Sequence, residues 1–250
     1  MKQQASLSVI CILTSLMTSQ AIGAIALDRT RIVVNGTDKS MSVTIRNDNK
    51  SLPYLAQAWL EDDKGNKVND PLVVLPPVQR VEPGTASQVK IQSTPAIDKL
   101  PTDRESIYYF NLREIPPRTN KPNTMQIALQ TRVKLFWRPK SIVATEDDYA
   151  NPWQKKLELK DKGNTYEVVN PTPYYVTVVD AAASRSGASV KGFMPIMIAP
   201  KSTELLPAGS KLAMGAKPVL TYVNDFGGRP KLVFSCASSV CKVSEHFNKE

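Results

Sequence analysis

Histidine occurs once in the chain, at position 246, four residues from the C-terminus in a charged tail. That scarcity removes most of the general-base, proton-relay and metal-ligand chemistry that imidazole carries. His246 itself reads as a solvated tail residue. Also missing are G-x-S-x-G, H-E-x-x-H, the Walker loop and G-x-G-x-x-G. The paired glycines of "FGGRP" at 226–230 are followed by no helix that could hold a phosphate, so they read as a tight turn. Asp147 and Asp148 adjoin in a loop and read as solvated. The expectation is a protein that is not an enzyme and needs no cofactor and no metal.

Cysteine is nearly as scarce, at positions 11, 236 and 241. Cys11 falls in an N-terminal leader. Lys2 is the only charge before Asp28, "LSVICILTSLM" is a short apolar core, and "AIG" before Ala24 supplies small residues for cleavage. The rival is an uncleaved anchor over the uncharged residues 3–27, but that core is short for a span of about 20 residues. No later stretch is long and apolar enough to cross a bilayer. Cleavage of residues 1–23 takes one lysine and no acid, so the net charge passes from +9 to +8. The remaining lysines are scattered and the chain is exported. The charge therefore implies solubility and an acidic partner, not nucleic acid. Cys236 and Cys241, in "SCASSVCK", can close across a tight hairpin in an oxidising compartment. A zinc site is the rival, but two cysteines without nearby histidines cannot complete its shell.

What the chain does have is strands. Its 250 residues, 42% hydrophobic with 19 prolines, suffice for one large or two ordinary domains rich in turns. "RTRIVV", "MSVTIR", "YLAQAWLE", "PLVVL", "QVKIQ", "SIYYFNLR" and "MQIALQTRVKLFW" alternate between turn signals such as "RNDNKSLP", "DDKGN" and "EPGTAS". Many short strands at this spacing indicate an immunoglobulin-like sandwich. "NGT" at Asn35 matches a glycosylation sequon, but Asn-Gly is also a hairpin turn, and the turn is favoured. "SIVATEDDYANPWQ" reads as a linker or domain start. After it come a hairpin around Lys162-Gly163-Asn164 and further strands, giving a second, smaller all-β domain.

One run is unusual. In "NTMQIALQTRVKLFWRP" the residues Met125, Ile127, Leu129, Val133 and Leu135 share one face of a strand, and Gln126, Gln130, Arg132 and Lys134 share the other. Twelve such residues would reach about 40 Å, against a usual strand of about 5–6 residues. Lys134 lies deep in this run, and Arg31 opens the first strand. Either both face solvent, as strand-borne cations normally do, or they converge in a cleft between domains and grip an anion.

"LDRTR", "RNDNKSLPYLAQAWLED", "PPVQRVEPG", "KLPTDRESIYYFNLREIPP", "MQIALQTRVKLFWRP", "NPTPYYVTV" and "YVNDFGGRP" resemble the PapD-type periplasmic chaperones of chaperone–usher pili, over about Ala24 to Cys241. The resemblance implies two immunoglobulin-like β-sandwich domains in an L-shaped arrangement with a cleft at the elbow. It divides the chain into a signal peptide at 1–23, a donor-strand domain at 24–143 and a second domain at 144–250. It implies a periplasmic chaperone that lends its long strand to an incomplete pilus subunit and delivers that subunit to an outer-membrane usher. Self-association of the free chaperone is a further implied possibility.

Residue by residue, Arg31 and Lys134 take the places of the cations that hold the subunit's C-terminal carboxylate. Met125, Ile127 and Leu129 take those of the donated side chains. Glu105, Arg138 and Asp225 match an interdomain charge cluster that sets the elbow, and the family's cysteine pair is present at 236 and 241. "EIPPRTNKPN" becomes the loop before the donor strand, where prolines limit pairing on an exposed edge. The competing reading is a two-domain surface adhesin or a pilus subunit on the same sandwich. A subunit would be a single incomplete domain, whereas this chain has two domains and already contains the donor run.

Overall fold

The computed structural model describes residues 23–120, 122 and 125–248. Cys11 and the expected leader up to residue 22 lie outside the described residues. So do Lys121, Asn123 and Thr124, in the loop before the long run.

The first domain contains β1 (Ile25–Leu27), β2 (Arg31–Asn35), β3 (Ser40–Asn47), β4 (Tyr54–Glu61), β5 (Lys67–Val68), β6 (Leu72–Leu75), β7 (Val78–Val81), β8 (Ala86–Ser93), β9 (Ser106–Ile115) and β10 (Gln130–Arg138). One sheet runs β1-β3-β8-β6. The facing sheet runs β2-β10-β9-β4-β5, with β7 also on β4. Alternation explains the sandwich. Val43 and Ile45 of β3 and Val89 and Ile91 of β8 point at Ala58, Leu60, Phe110, Leu112 and Leu135 of the other sheet, in one core. Each such aliphatic side chain contributes about 1.5–3 kcal/mol by leaving water.

The first extended run changes sheet partway along. Ile25–Leu27 pair antiparallel with β3, while Arg31–Asn35 pair parallel with β10. The expected hairpin at Asn35-Gly36 is therefore a crossover between sheets, since β2 and β3 lie on opposite layers. Gly36 is needed for close approach. Its amide donates to the Arg138 carbonyl at 2.7 Å, and a Cβ there would sit 2.8 Å from the Lys140 nitrogen.

The long run is not one long strand. Pairing with β9 begins at Gln130, opposite Arg113, with one further bond from the Glu114 amide to the Leu129 carbonyl. Beyond Ile115 stand Pro116 and Pro117, which have no amide hydrogen to offer a ladder.

The segment at 141–154, expected as a linker or domain start, is structured. It holds helix α1 (Glu146–Ala150) and a 3-10 turn at Trp153–Lys156 with Trp153 buried. Asp148 is correspondingly not a merely solvated loop residue. Its carboxylate accepts from the Thr145 amide at 2.9 Å while Thr145 Oγ1 accepts from the Asp148 amide, a reciprocal cap that holds the Asp148 pKa down.

The second domain adds β11 (Glu158–Asp161), β12 (Tyr166–Asn170), β13 (Val176–Ala182), β14 (Ile196–Ile198), β15 (Ser202–Leu205), helix α2 (Ser210–Met214), β16 (Val219–Val223), β17 (Lys231–Ala237) and β18 (Val240–Phe247). They form one sheet, ordered β14-β13-β16-β17-β18-β11-β12-β15, around a core that includes Leu159, Val178, Leu220, Tyr222 and Phe234. Register shifts near Val178 and Val233 interrupt its ladders, the kind of irregularity that bends a strand. Cys236 and Cys241 are bonded across the β17–β18 hairpin. His246 lies in β18, not in a frayed tail. Its Nε2 is 2.9 Å from the Tyr222 hydroxyl, and burial, with Lys155 nearby, lowers its pKa.

Candidate functional site

Strand β10 organises the site. Its register against β2 sets Lys134 beside Arg31. The odd residues Leu135 and Trp137 fill the first domain's core, so Lys134 projects from the other face, toward the second domain. There its Nζ donates to Thr177 Oγ1 at 3.0 Å, and Arg31 Nη1 donates to the Val223 carbonyl at 3.1 Å. Both cations thus reach across the elbow. A cavity of about 320 Å³ opens beside Arg31, bordered by Tyr149, Asp225 and Phe226 of the second domain.

The electrostatics of the pair are unfavourable by themselves. Burial, with Arg31 adding repulsion, pushes Lys134 down to about 8. Burial also lowers Arg31, against the pull of Asp225 and Glu105. Among the described residues neither cation is ion-paired with a carboxylate, and the buried Arg31 Nε has no hydrogen-bond partner. Two like charges in a partly dry corner favour an anion between them. A carboxylate could take charge-assisted hydrogen bonds from both.

The sheet edge points the same way. Among the described residues, β10 is flanked by both β2 and β9 from Lys134 to Trp137 and by β9 alone from Gln130 to Val133. The lane that β2 occupies therefore continues upstream as an unpaired edge. A strand added there in the direction of β2 would end, at its C-terminus, against Arg31 and Lys134. Upstream of that edge Met125, Ile127 and Leu129 are 83%, 63% and 42% exposed.

The charge cluster also assembles. Arg138 Nη2 and Nε donate to Glu105 Oε1 at 2.7 and 2.9 Å, and its Nη1 donates to Asp225 Oδ2 at 2.9 Å. The guanidinium lies over the Trp153 and Tyr174 rings at 5.2 and 4.8 Å. Burial alone would lower the Arg138 pKa, but Glu105 and Asp225 hold it above its ordinary value. Burial raises Glu105 to about 7 despite Arg138, while its Oε2 accepts the Tyr175 amide at 2.8 Å. One residue of β10 thereby ties together the residue preceding β9, the start of the second domain and the β16–β17 turn. That turn touches the first domain again at Gly227, where φ is +84° and a Cβ would lie 2.7 Å from Thr30 Oγ1.

Reading the sequence missed Thr177, the Val223 carbonyl and the aromatic wall of Trp153 and Tyr174, because cross-domain neighbours leave no local pattern. The Thr145-x-x-Asp148 spacing was a usable signal for the cap that presents Trp153.

Fold and site define a class: a protein of two immunoglobulin-like sandwiches, with an open strand edge that ends at a pair of half-buried cations between them. The chain belongs to the PapD family of pilus-assembly chaperones. The family model for the pili and flagellar-assembly chaperone PapD N-terminal domain matches residues 24–143, and that for the PapD C-terminal domain matches residues 152–234. The chain is 51% identical to the fimbrial chaperone YfcS of Escherichia coli K12, over 96% of this chain and 94% of that one. It is 48% identical to the chaperone protein PapD of Escherichia coli, over 91% and 92%. The crystal structure of the E. coli chaperone DraB superimposes with a TM-score of 0.67 at 27% identity, covering 91% of this chain and 98% of that one.

Proposed function

We propose that this protein is a periplasmic chaperone that binds pilus subunits by adding a strand to their fold, caps them, and passes them to an outer-membrane usher. The subunit's C-terminal strand would lie along the open edge of β10. Its carboxylate would be held by Arg31 and Lys134, and Met125, Ile127 and Leu129 would fill the subunit's exposed groove. Glu105, Arg138 and Asp225 would hold the elbow. The mature chain would start at Ala24 after removal of residues 1–23, with the donor domain reaching 143 and the second domain 144–250. It acts by binding, with no catalytic step. The free chaperone could cover its apolar row by pairing with itself.

The observation that carries this reading is the end of the open edge at two adjacent cations that, among the described residues, lack a carboxylate partner. The test is capture of subunits from the same operon by wild-type, Arg31→Ala and Lys134→Ala protein, and by wild-type with a C-terminally amidated subunit strand. Leaving a desolvated anion underpaired typically costs about 2–5 kcal/mol, or roughly 30- to several-thousand-fold in affinity. Each substitution and the amidation should weaken binding on that scale without lowering the melting temperature. Normal capture in all three would make the two residues ordinary cations and remove the anchor.

A further inference from the structure

Glu114 is a buried carboxylate at the base of the donor row that the binding scheme does not use. It is 6% exposed. Its Oε2 accepts the Ile25 amide at 2.9 Å and its Oε1 the Leu129 amide at 3.4 Å, while its own amide donates to the Leu129 carbonyl at 3.0 Å. It therefore holds Leu129, the innermost residue of the exposed row, through both backbone groups. Among the described residues it forms no ion pair. The cation lining the same cavity, Arg46, is turned to Asp48 at 2.7 Å. A buried carboxylate with amide partners and no counter-charge is an expensive arrangement.

The chain's expected start lies directly alongside. Gly23 and Ala24 line this cavity of about 500 Å³ with Glu114. Ala24 is held in place by its carbonyl, which accepts the Asp48 amide at 2.7 Å. A Cβ on Gly23 would lie 3.5 Å from Glu114 Oε2 and 3.3 Å from Leu129 Cδ1. Residue 23 thus sits between the buried carboxylate and a donor side chain.

We propose that removal of residues 1–23 matures the donor strand by placing a new cation on Glu114. Hydrolysis of the Gly23–Ala24 peptide bond by an export peptidase consumes one water, leaves a carboxylate on Gly23 and a protonated amine on Ala24. An α-ammonium of this kind is largely charged at neutral pH. It supplies the counter-charge that Glu114 lacks, and Glu114 in turn fixes the backbone of Leu129. Departure of Gly23 also clears the flank of the Leu129 side chain. In the unprocessed chain a neutral peptide unit stands where the ammonium belongs. Glu114 is a positioning residue in this scheme. The inference rests on the proposed donor role for its consequence, but the ammonium contact does not depend on that role.

The experiment separates the two. Mature protein beginning at Ala24, checked by intact mass, is acetylated at its α-amino group under mildly acidic conditions, and only product that peptide mapping shows to carry unmodified lysines, Lys134 included, is used. It is compared with unmodified protein, with Glu114→Gln, with acetylated Glu114→Gln, and with a chain retaining Gly23 that is acetylated at its own α-amino group, so that a neutral peptide unit precedes Ala24. Hydrogen exchange of the Leu129 amide is read with no subunit present. Acetylation, Glu114→Gln and retained Gly23 should each accelerate it about tenfold, the scale of one lost charge-assisted hydrogen bond. Acetylating Glu114→Gln should add nothing. Unchanged exchange on acetylating the wild type, or effects that simply add, would overturn the proposal; acetylation changes no side chain of the fold, so a misfolded variant cannot mask that result. Binding of a synthetic peptide carrying the C-terminal strand of a pilin from the same operon is read in parallel. Peptide binding that fails in every sample while Leu129 responds would sink the donor role and leave the ammonium contact standing.

Discussion

Residues 125–129 and 130–138 continue one alternating pattern, yet they have opposite fates. In the first stretch Met125, Ile127 and Leu129 stand in solvent. In the second Leu135 is fully buried, Trp137 is 6% exposed, and both sit in the first domain's core. At the far end even the opposite face is covered: Phe136 packs on Tyr175 with ring centroids 5.7 Å apart, and Arg138 is 1% exposed. The run thus passes from no cover, through cover on one face, to cover on both. Alternation states which side chains share a face; it does not state whose core they belong to. The answer comes from topology. Another layer of this chain lies over the second stretch, whereas past the proline-bounded end of β9 the first stretch has no cover among the described residues.

The largest expected contrast comes from placing the same charge in each stretch. Leu135→Glu puts an uncompensated carboxylate in the core, at a cost of several kcal/mol that a domain of ordinary stability does not survive. Ile127→Glu should leave the melting temperature within about 1–2 °C of wild type, since surface changes away from packed features are usually within about 0.5 kcal/mol. Subunit capture should nevertheless be lost. Thermal melts set beside pull-downs decide it. A collapsed melting temperature for Ile127→Glu would make the first stretch part of this protein's own core and erase the comparison.

Next in size is Arg138→Ala, at the doubly covered end. It strips Glu105 and Asp225 of their shared cation and should destabilise by about 3–5 kcal/mol at pH 8, as breaking a buried pair does. The penalty should shrink toward pH 5. Glu105 already binds its proton with a pKa of about 7, and a protonated carboxyl needs no guanidinium. Chemical denaturation of wild type and variant at the two pH values measures this. An equal loss at both would mean that Asp225, or the packing on Trp153 and Tyr174, carries the effect instead.

The same contrast marks how far sequence reading reaches. The alternating residues of β3, β4, β8 and β9 announced a sandwich, because each strand's faces are a local property. The sheet-switching run of β1 and β2 was not legible, since nothing in "AIALDRTRIVVN" records which layer each half joins. That switch is what makes β2 parallel to β10 and sets Arg31 against Lys134. The two cations stood out in the strand pattern, and resemblance favoured the cleft over solvent; their adjacency, and the open edge ending at them, required the topology. His246 misled for a related reason. A lone histidine near a terminus reads as solvated, while a strand pairing contributed from elsewhere in the chain brings it to Tyr222.

The smallest expected effect concerns Lys134, the residue of the second stretch whose charge is proposed to meet a subunit's carboxylate. Its folded-state pKa of about 8 lies below the ordinary lysine value near 10.5, so folding binds this proton less tightly than the unfolded chain does. Keeping Lys134 charged inside the elbow therefore costs stability below pH 8, and that cost is relieved as pH rises from about 8 to 10.5. A bound carboxylate acts in the opposite sense. It stabilises the ammonium and raises the pKa, so binding takes up a proton once the pH exceeds 8. Affinity for a subunit strand should be flat between pH 6 and 7.5, then fall by up to about tenfold per unit above 8, until the pH reaches the pKa of the bound state. Over the same range the contribution of Lys134 to the stability of the free chaperone should rise. Lys134→Arg should flatten both trends, because a guanidinium stays charged throughout. Calorimetric titration in two buffers of different ionisation heat counts the proton directly. No uptake at pH 9 in the wild type, or uptake that persists in Lys134→Arg, would mean that the carboxylate is held by Arg31 without Lys134, and that all of the second stretch belongs to this chain's own fold.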